Sequence, residues 1–322
     1  MSDTLRAVLV GAGGIGKAHL GAWTSVPGAK VVAIVDSDRR RAEGAAKAAG
    51  VPAFEDLGEM LARVKPDAVD VCTPPAAHRA PTEAALAAGC HVICEKPLAQ
   101  NPDEARSMVS AAEASGKLLM TAFCHRFHTP VAKLKELISA GDLGDVRMFR
   151  NRFAGPFAGV ENTWFSMPTV SGGGCLMDTS VHSVDLFRFL VGEVTRAQGA
   201  MTTVLPALAG RAEDTAAMLL TAESGAVGII EASWALQAGV NVVEVYGTRG
   251  VAFVHYWDGF QSRYKTEAMP GFEPLPEEGD RFVGELTHFA KAALGRADLA
   301  VTGHDGLRAV EVIYEAYASA GL

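Results

Sequence analysis

Through residue 122, short apolar runs alternate with longer, alanine-rich stretches whose apolar positions recur at helical spacing. The runs at 5–10, 30–35, 68–72, 90–94 and 117–123 read as strands, with helices between them at about 15–26, 38–49, 56–63, 78–88 and 102–115. This alternation predicts a parallel sheet with helices on both faces. Beyond Phe123 the texture changes. Residues 131–140 read as a helix and 146–153 as a strand, followed by a Gly/Pro-rich passage from Ala154 to Gly174. After a helix at about 175–191, strand-like runs recur near 195–205, 214–222, 226–235, 241–247 and 250–257. Glu223-Ser224-Gly225 and Thr248-Arg249-Gly250 supply hairpin turns between neighbouring runs. Strands that meander without helices imply an antiparallel sheet, so the second part reads as α+β. The chain closes on a helix with Asp305 as its expected cap before Leu307, Val310 and Ile313. Two domains follow: 1–122, and 123–322 with a final helix able to pack back on the first.

Composition narrows the class. Hydrophobic residues make up 49% of 322 and charged residues 20%, which suits a globular protein and excludes a disordered one. The formal charge of -8 is dispersed, so the clustered basic face of a nucleic-acid binder is absent. No apolar run approaches the ~18 residues of a membrane helix, and the first strand begins at Leu5, so no signal peptide is expected. Five cysteines, odd in number and without framework spacing, read as reduced thiols in a cytoplasmic protein. Cys90, His91 and Cys94 lie in a strand-like run without a second ligand pair, so no metal site is expected.

Gly11-Ala12-Gly13-Gly14-Ile15-Gly16 follows a strand and opens a helix. In this Gly-x-Gly-x-x-Gly pattern Gly11 allows the turn, Gly13 admits a pyrophosphate, and Gly16 allows close packing of helix on strand. Asp36 stands 20 residues after Gly16 at the end of the next strand, the position of a carboxylate that binds ribose hydroxyls. The acid favours NAD; Arg39, Arg40 and Arg41 just after it leave NADP open. Glu95-Lys96-Pro97 ends a buried strand, and Pro97 forces a change of direction where open parallel sheets bind ligands. As an isolated Lys-Pro this would read as a surface turn. Asp178 and His182 are four residues apart, on one face of a helix, where a carboxylate can orient an imidazole for proton transfer.

Together these motifs resemble the glucose-fructose oxidoreductase/inositol dehydrogenase (Gfo/Idh/MocA) family, over nearly the whole chain and in the family's order. Gly11 to Gly16 with Asp36 resembles its cofactor fingerprint, and Thr73, Pro74 and His78 its segment near the nicotinamide. Glu95-Lys96-Pro97 is similar to its most specific tripeptide, His125-Arg126-Phe127 to its crossing segment, and Asp178/His182 to its catalytic helix. The resemblance implies a Rossmann domain followed by a domain with a large, mostly antiparallel open sheet, through which many members form homodimers or homotetramers. It also implies a catalytic group of Lys96, Asp178 and His182, with Glu95, Lys96 and Arg126 near the cofactor. The chemistry is oxidation of a secondary alcohol of a sugar or cyclitol, in which Lys96 and His182 share the oxygen and the proton in an order the sequence leaves open. His125, Phe157, Asn162 and Trp164 are candidate substrate contacts. Two rival readings are an NAD-dependent glycoside hydrolase of the same superfamily and a dinucleotide-binding sensor without catalysis.

Overall fold

The computed structural model describes residues 4–237, 239, 241–256 and 259–322. They form two compact units, one running through Cys124 and taking up Asp280–Leu307, the other comprising His125–Gly279 and Arg308–Leu322. The late segment 280–307 thus joins the first unit, where the sequence division had placed it in the second.

In the first unit β1 (Leu5–Val10), α1 (Gly14–Trp23), β2 (Ala29–Val35), α2 (Arg39–Ala49), β3 (Ala53–Phe54), α3 (Leu57–Val64) and β4 (Ala68–Val71) alternate. They are followed by α4 (Arg79–Ala87), β5 (His91–Cys94), α5 (Pro102–Ser115) and β6 (Leu119–Thr121). The strand order is β3-β2-β1-β4-β5-β6, every pairing parallel. Successive side chains of a strand point to opposite faces, and here both faces are dry. Val8 and Val10 pack with Val69, Val92 and Met108 in one core, and Leu9 with Ile34 and Cys72 in the other. The helices start where side chains can take up free amides: Asp38 accepts from the Arg40 N–H, Asp56 from Glu59 and Asn101 from Glu104.

The second unit contains α6 (Thr129–Ser139), β7 (Val146–Ala154), α7 (Pro168–Ser171), a π turn at Leu176–Ser180, and α8 (Val181–Leu190). The strands β8 (Val194–Thr202), β9 (Thr215–Ala222), β10 (Val227–Ser233), β11 (Val242–Gly247), β12 (Gly250–His255), β13 (Arg263–Thr266) and β14 (Glu273–Pro274) follow. Their order is β14-β13-β12-β11-β7-β10-β9-β8, antiparallel except for the central β7–β10 pair. α8 buries Val181, Val184, Phe187 and Leu190, with Phe187 edge-on to Phe149 of β7 at 5.5 Å. Other outward positions carry Met148, Leu219 and Val227, 41%, 51% and 37% exposed, so the sheet keeps one partly apolar face uncovered. Strands β13 and β14 extend a sheet whose last expected run ended at 257; Trp257 itself lies outside the described residues.

α9 (Arg281–Ala293), absent from the sequence reading, starts at an Asp280 cap and packs on α1. α10 (Gly303–Ser319) starts differently from expectation: Thr302 and Asp305 bond reciprocally, the Asp305 N–H to Thr302 Oγ1 and the Thr302 N–H to Asp305 Oδ2. Asp305 therefore closes a capping box from inside the first turn, with Thr302 as the cap. Among the described residues no helix is long and apolar enough to cross a membrane.

Candidate active site

All strands of the first sheet run one way, so the loops after β1, β2, β4 and β5 share its carboxyl edge. Gly11 turns there with φ of +96°, and a Cβ on it would lie 2.7 Å from the Cys72 carbonyl. A Cβ on Gly16 would lie 1.9 Å from the Gly11 oxygen, so α1 packs against the loop only with glycine at that position. Gly13 is different: a Cβ on it would meet nothing within 4 Å. Protein packing does not require a bare backbone at Gly13, but an approaching pyrophosphate would. Gly13 caps α1 without a side-chain hydrogen bond, and the first turn through Gly14 and Ile15 carries no acid. An anion fits there, on free amides at the positive end of the helix dipole.

Asp36 follows β2 and is 7% exposed. It accepts N–H bonds from Ala12 and Asp38, both at 2.8 Å, and an ion pair from Arg41 at 2.9 Å. Burial by itself would raise its pKa. The Arg41 hydrogen bond and the two amides outweigh that and hold the carboxyl below its usual value, so it stays anionic. Arg39 pairs with Glu43 at 2.8 Å, whereas Arg41, two residues further along α2, reaches Asp36. Of the three arginines the sequence offered for this corner, Arg41 is the one paired with Asp36. A cavity of about 920 Å³ along α1 and α2 shares Ala12 and Arg41 with this corner but is not lined by Lys96.

Thr73 and Pro74 follow β4, and the Thr73 hydroxyl donates to the Ala77 carbonyl at 2.9 Å. His78 is fully buried, its ring nitrogens 2.7 Å from the Thr73 carbonyl and 2.9 Å from the Pro97 carbonyl. Burial lowers its pKa against the pull of the two carbonyls, so a mostly neutral ring sits between the Thr73 and Lys96 loops and donates its single N–H to one of them at a time. Lys96 is half-buried and joined to Pro97 by a cis peptide bond. Its backbone N–H donates to Glu95 Oε2 at 3.0 Å, and the Glu95 side chain points inward.

In the second unit His125 and Arg126 sit on a 3-10 turn, each 9% exposed. His125 lies edge-on to His182 at 4.5 Å, stacks on Phe153 at 5.0 Å, and places Nδ1 3.2 Å from the Tyr256 hydroxyl. His182 and Asp178 are half-buried. Their four-residue spacing crosses the junction of the π turn and α8, so the simple α-helical register expected for them does not hold, although both remain at the start of the same helix. The π turn is anchored from outside: Glu213 accepts the Gly174 and Leu176 N–H groups at 2.9 and 3.1 Å and the Tyr317 hydroxyl at 2.6 Å.

Arg126, expected near the cofactor, makes a buried two-pronged pair with Asp185 of α8 and lies over the Phe189 ring at 5.0 Å. A buried guanidinium takes the carboxylate that matches its fork, so this pair anchors the turn to α8. Asn162 is exposed and donates to Glu161, and Trp164 stacks on Phe165 at 3.8 Å. Phe157 packs on Phe165 and Trp234. Among the expected substrate contacts, His125 packs edge-on to His182. Sequence reasoning missed Tyr256 and Glu213, whose places depend on strand pairing across the sheet, and it missed His19, whose helical spacing after Gly16 was its only signal.

The sequence model described as an oxidoreductase family with an NAD-binding Rossmann fold matches residues 5–123, and the GFO/IDH/MocA C-terminal domain matches 131–253. The chain is 30% identical to a D-apiose dehydrogenase of Paraburkholderia graminis, over 98% of this chain and 87% of that one. It is 28% identical to a scyllo-inositol 2-dehydrogenase (NAD(+)) of Bacillus subtilis, over 97% and 93%. Among solved structures, a levoglucosan dehydrogenase in complex with NADH and levoglucosan superposes with a TM-score of 0.91 at 25% identity, over 99% and 97% of the two chains. The bare Gly13 amide, the uncapped α1 and the anionic Asp36 fit the NAD that such a Rossmann domain binds. The chain belongs to the Gfo/Idh/MocA family of oxidoreductases.

Proposed function

We propose that this protein is an NAD-dependent dehydrogenase that moves a hydride between a secondary alcohol of a sugar or cyclitol and the nicotinamide, with Lys96, His182 and Asp178 as its catalytic group. The observation that carries this reading is the placement of Lys96 directly beyond β5, on the same sheet edge as the Gly11–Gly16 loop and Asp36. Bound NAD supplies the hydride acceptor. Lys96 donates a hydrogen bond to the reacting oxygen and stabilises charge that develops there. His182 takes the hydroxyl proton, and Asp178 orients the ring. In the reducing direction Lys96 polarises a ketone and His182 returns the proton. His125, beside His182 and in contact with Tyr256, offers with that tyrosine a polar, aromatic wall to sugar hydroxyls.

The relatives support the substrate class, since they are named for D-apiose, inositols, glucosides and levoglucosan. The test is a panel of myo-inositol, scyllo-inositol, D-apiose, levoglucosan and D-glucose, read by NADH absorbance with NADP run alongside. Lys96→Ala and His182→Ala are each expected to lose about 10²-fold or more in turnover while keeping NAD affinity. Near-normal turnover in both variants, or sugar release without net NADH, would refute the scheme. The uncovered sheet face supports a homodimer or homotetramer through the second unit, and sedimentation at the monomer mass would exclude it.

A further inference from the structure

Behind Glu95-Lys96-Pro97 the first unit buries a connected set of titratable groups that the reaction scheme leaves unused. His19 on α1 is 0% exposed, Asp70 on β4 1%, Glu95 6%, and Glu285 on α9 0%. Asp70 accepts the Trp23 indole N–H at 2.8 Å and the Cys72 thiol at 3.3 Å, and both its oxygens lie 3.0–3.1 Å from His19 Nδ1. On the opposite side of the ring, His19 Nε2 lies 3.0 Å from Glu95 Oε1. The other oxygen of Glu95 accepts the backbone N–H of Lys96 at 3.0 Å. Phe282 of α9 closes the ring in at 5.6 Å, and Glu285 and Arg281 are the remaining titratable groups of α9 that act on this cluster.

The geometry favours a charged ring. A neutral imidazole donating from Nδ1 to Asp70 would leave an unprotonated, electron-rich Nε2 3.0 Å from a carboxylate, which repels. An imidazolium is attracted to the carboxylates on both sides. The Nε2–Glu95 approach lies off the N–H axis, so charge attraction holds the pair more than an aligned hydrogen bond does. Burial alone would discharge the ring, but Asp70 and Cys72 together outweigh it and raise the His19 pKa well above 6.5. The same donor set is a poor metal site: burial pushes the Cys72 thiol up, and N–H donors already point at the Asp70 oxygens.

We propose that His19 is a positioning residue for Lys96: held by Asp70, it grips the Glu95 carboxylate, which sets the direction of the Lys96 backbone and so the origin of the lysine side chain. His78 holds the far end of the same segment through the Pro97 carbonyl, so the tripeptide is clamped on both sides of the lysine. Removing the imidazolium leaves Glu95 as a buried carboxylate without its cation, next to the residue that polarises substrate. The inference rests on the reading of Lys96 as the group that contacts the reacting oxygen.

A kinetic double-mutant cycle on the full chain tests it, with NAD and whichever member of the panel turns over fastest. His19→Gln is expected to lower kcat toward about 10²-fold, the usual consequence of a misplacement near 1 Å, with NAD affinity within about threefold of the parent. In a Lys96→Ala background the same change should cost nothing further. His19→Gln combined with Glu95→Gln, a neutral pair that still accepts the Lys96 N–H, should recover about tenfold or more of the loss. An unchanged kcat in His19→Gln, an equal loss with and without Lys96, or a parallel loss of NAD affinity would each overturn the proposal. If His19→Gln does not accumulate as folded protein, Glu95→Gln reads the same coupling: its loss must vanish without Lys96, and an additive loss overturns the proposal. Normal turnover in Lys96→Ala alone would remove the reaction scheme, so the two failures are read from different arms.

Discussion

Gly13 and Gly16 lie three residues apart in one loop, yet the structure gives them opposite sensitivities. Gly16→Ala places a Cβ 1.9 Å from the Gly11 oxygen, a clash with backbone that only a shift of α1 can relieve. Overpacking of that kind costs about 1–3 kcal/mol, and the apoprotein should lose stability accordingly. Gly13→Ala meets nothing within 4 Å, and Gly13 has an extended backbone with φ of -74°. Reduced freedom of the unfolded chain contributes about 0.4–1 kcal/mol of stability, while alanine is the poorer helix cap by a similar amount. The two nearly cancel, so apo stability should stay within about 1 kcal/mol of the parent. The cofactor is where the change should register. NAD at 100 times its Kd stabilises a binding-competent fold by about 2.7 kcal/mol, and a hundredfold weaker Kd reduces that to about 0.4 kcal/mol. At about 2–4 °C per kcal/mol, a melting shift of about 5–10 °C on adding NAD falls to about 1–2 °C. Thermal melts with and without NAD, with titration calorimetry for the Kd, read both quantities. Gly13→Ala with unchanged NAD affinity would refute the placement of the pyrophosphate on that amide.

Two further outcomes follow from buried carboxyls. Glu285 is fully buried, and its carboxyl oxygens meet no hydrogen-bond partner among the described residues; burial raises its pKa well above 4.5. The folded state therefore binds a proton that the unfolded state releases above about pH 4.5, so this group's share of stability is present below that pH and is lost as pH rises toward the folded pKa, at about 1.4 kcal/mol per unit. Glu285→Gln should gain stability relative to the parent between pH 5 and 8 in denaturant unfolding, and a pH-independent difference would count against it. Asp36→Ser releases the Arg41 guanidinium, 2.9 Å away in the parent, beside the ribose site. NADP should then bind about tenfold more tightly or better and NAD more weakly, a gain that Arg41→Ala in the same background should erase; binding titrations with both cofactors decide it.

The alternating strands of the first unit, the Gly11–Gly16 turn and the position of Asp36 were legible because each is local: a repeat period, a glycine spacing, an acid at a strand end. α9 carried local signals too, a cap at Asp280 and apolar positions at Leu286, Phe289 and Ala290, but nothing local assigns it to the first unit. The parallel β7–β10 pair was beyond reach, because alternation with a period of two is the same for either strand direction. Site residues divided the same way. The proposed catalytic residues Lys96, Asp178 and His182 carried motif signals, whereas Arg126 found its partner 59 residues away in Asp185, and it is Arg41, two residues beyond Arg39, that reaches Asp36. His19, Asp70 and Glu95 lie on three different elements, and no spacing among them marks a unit. They meet because sheet order sets β4 between β1 and β5 with α1 packed alongside. Periodicity determines which face of an element is buried. Which charges then share that interior, and must neutralise one another there, depends on the packing of elements distant in the chain.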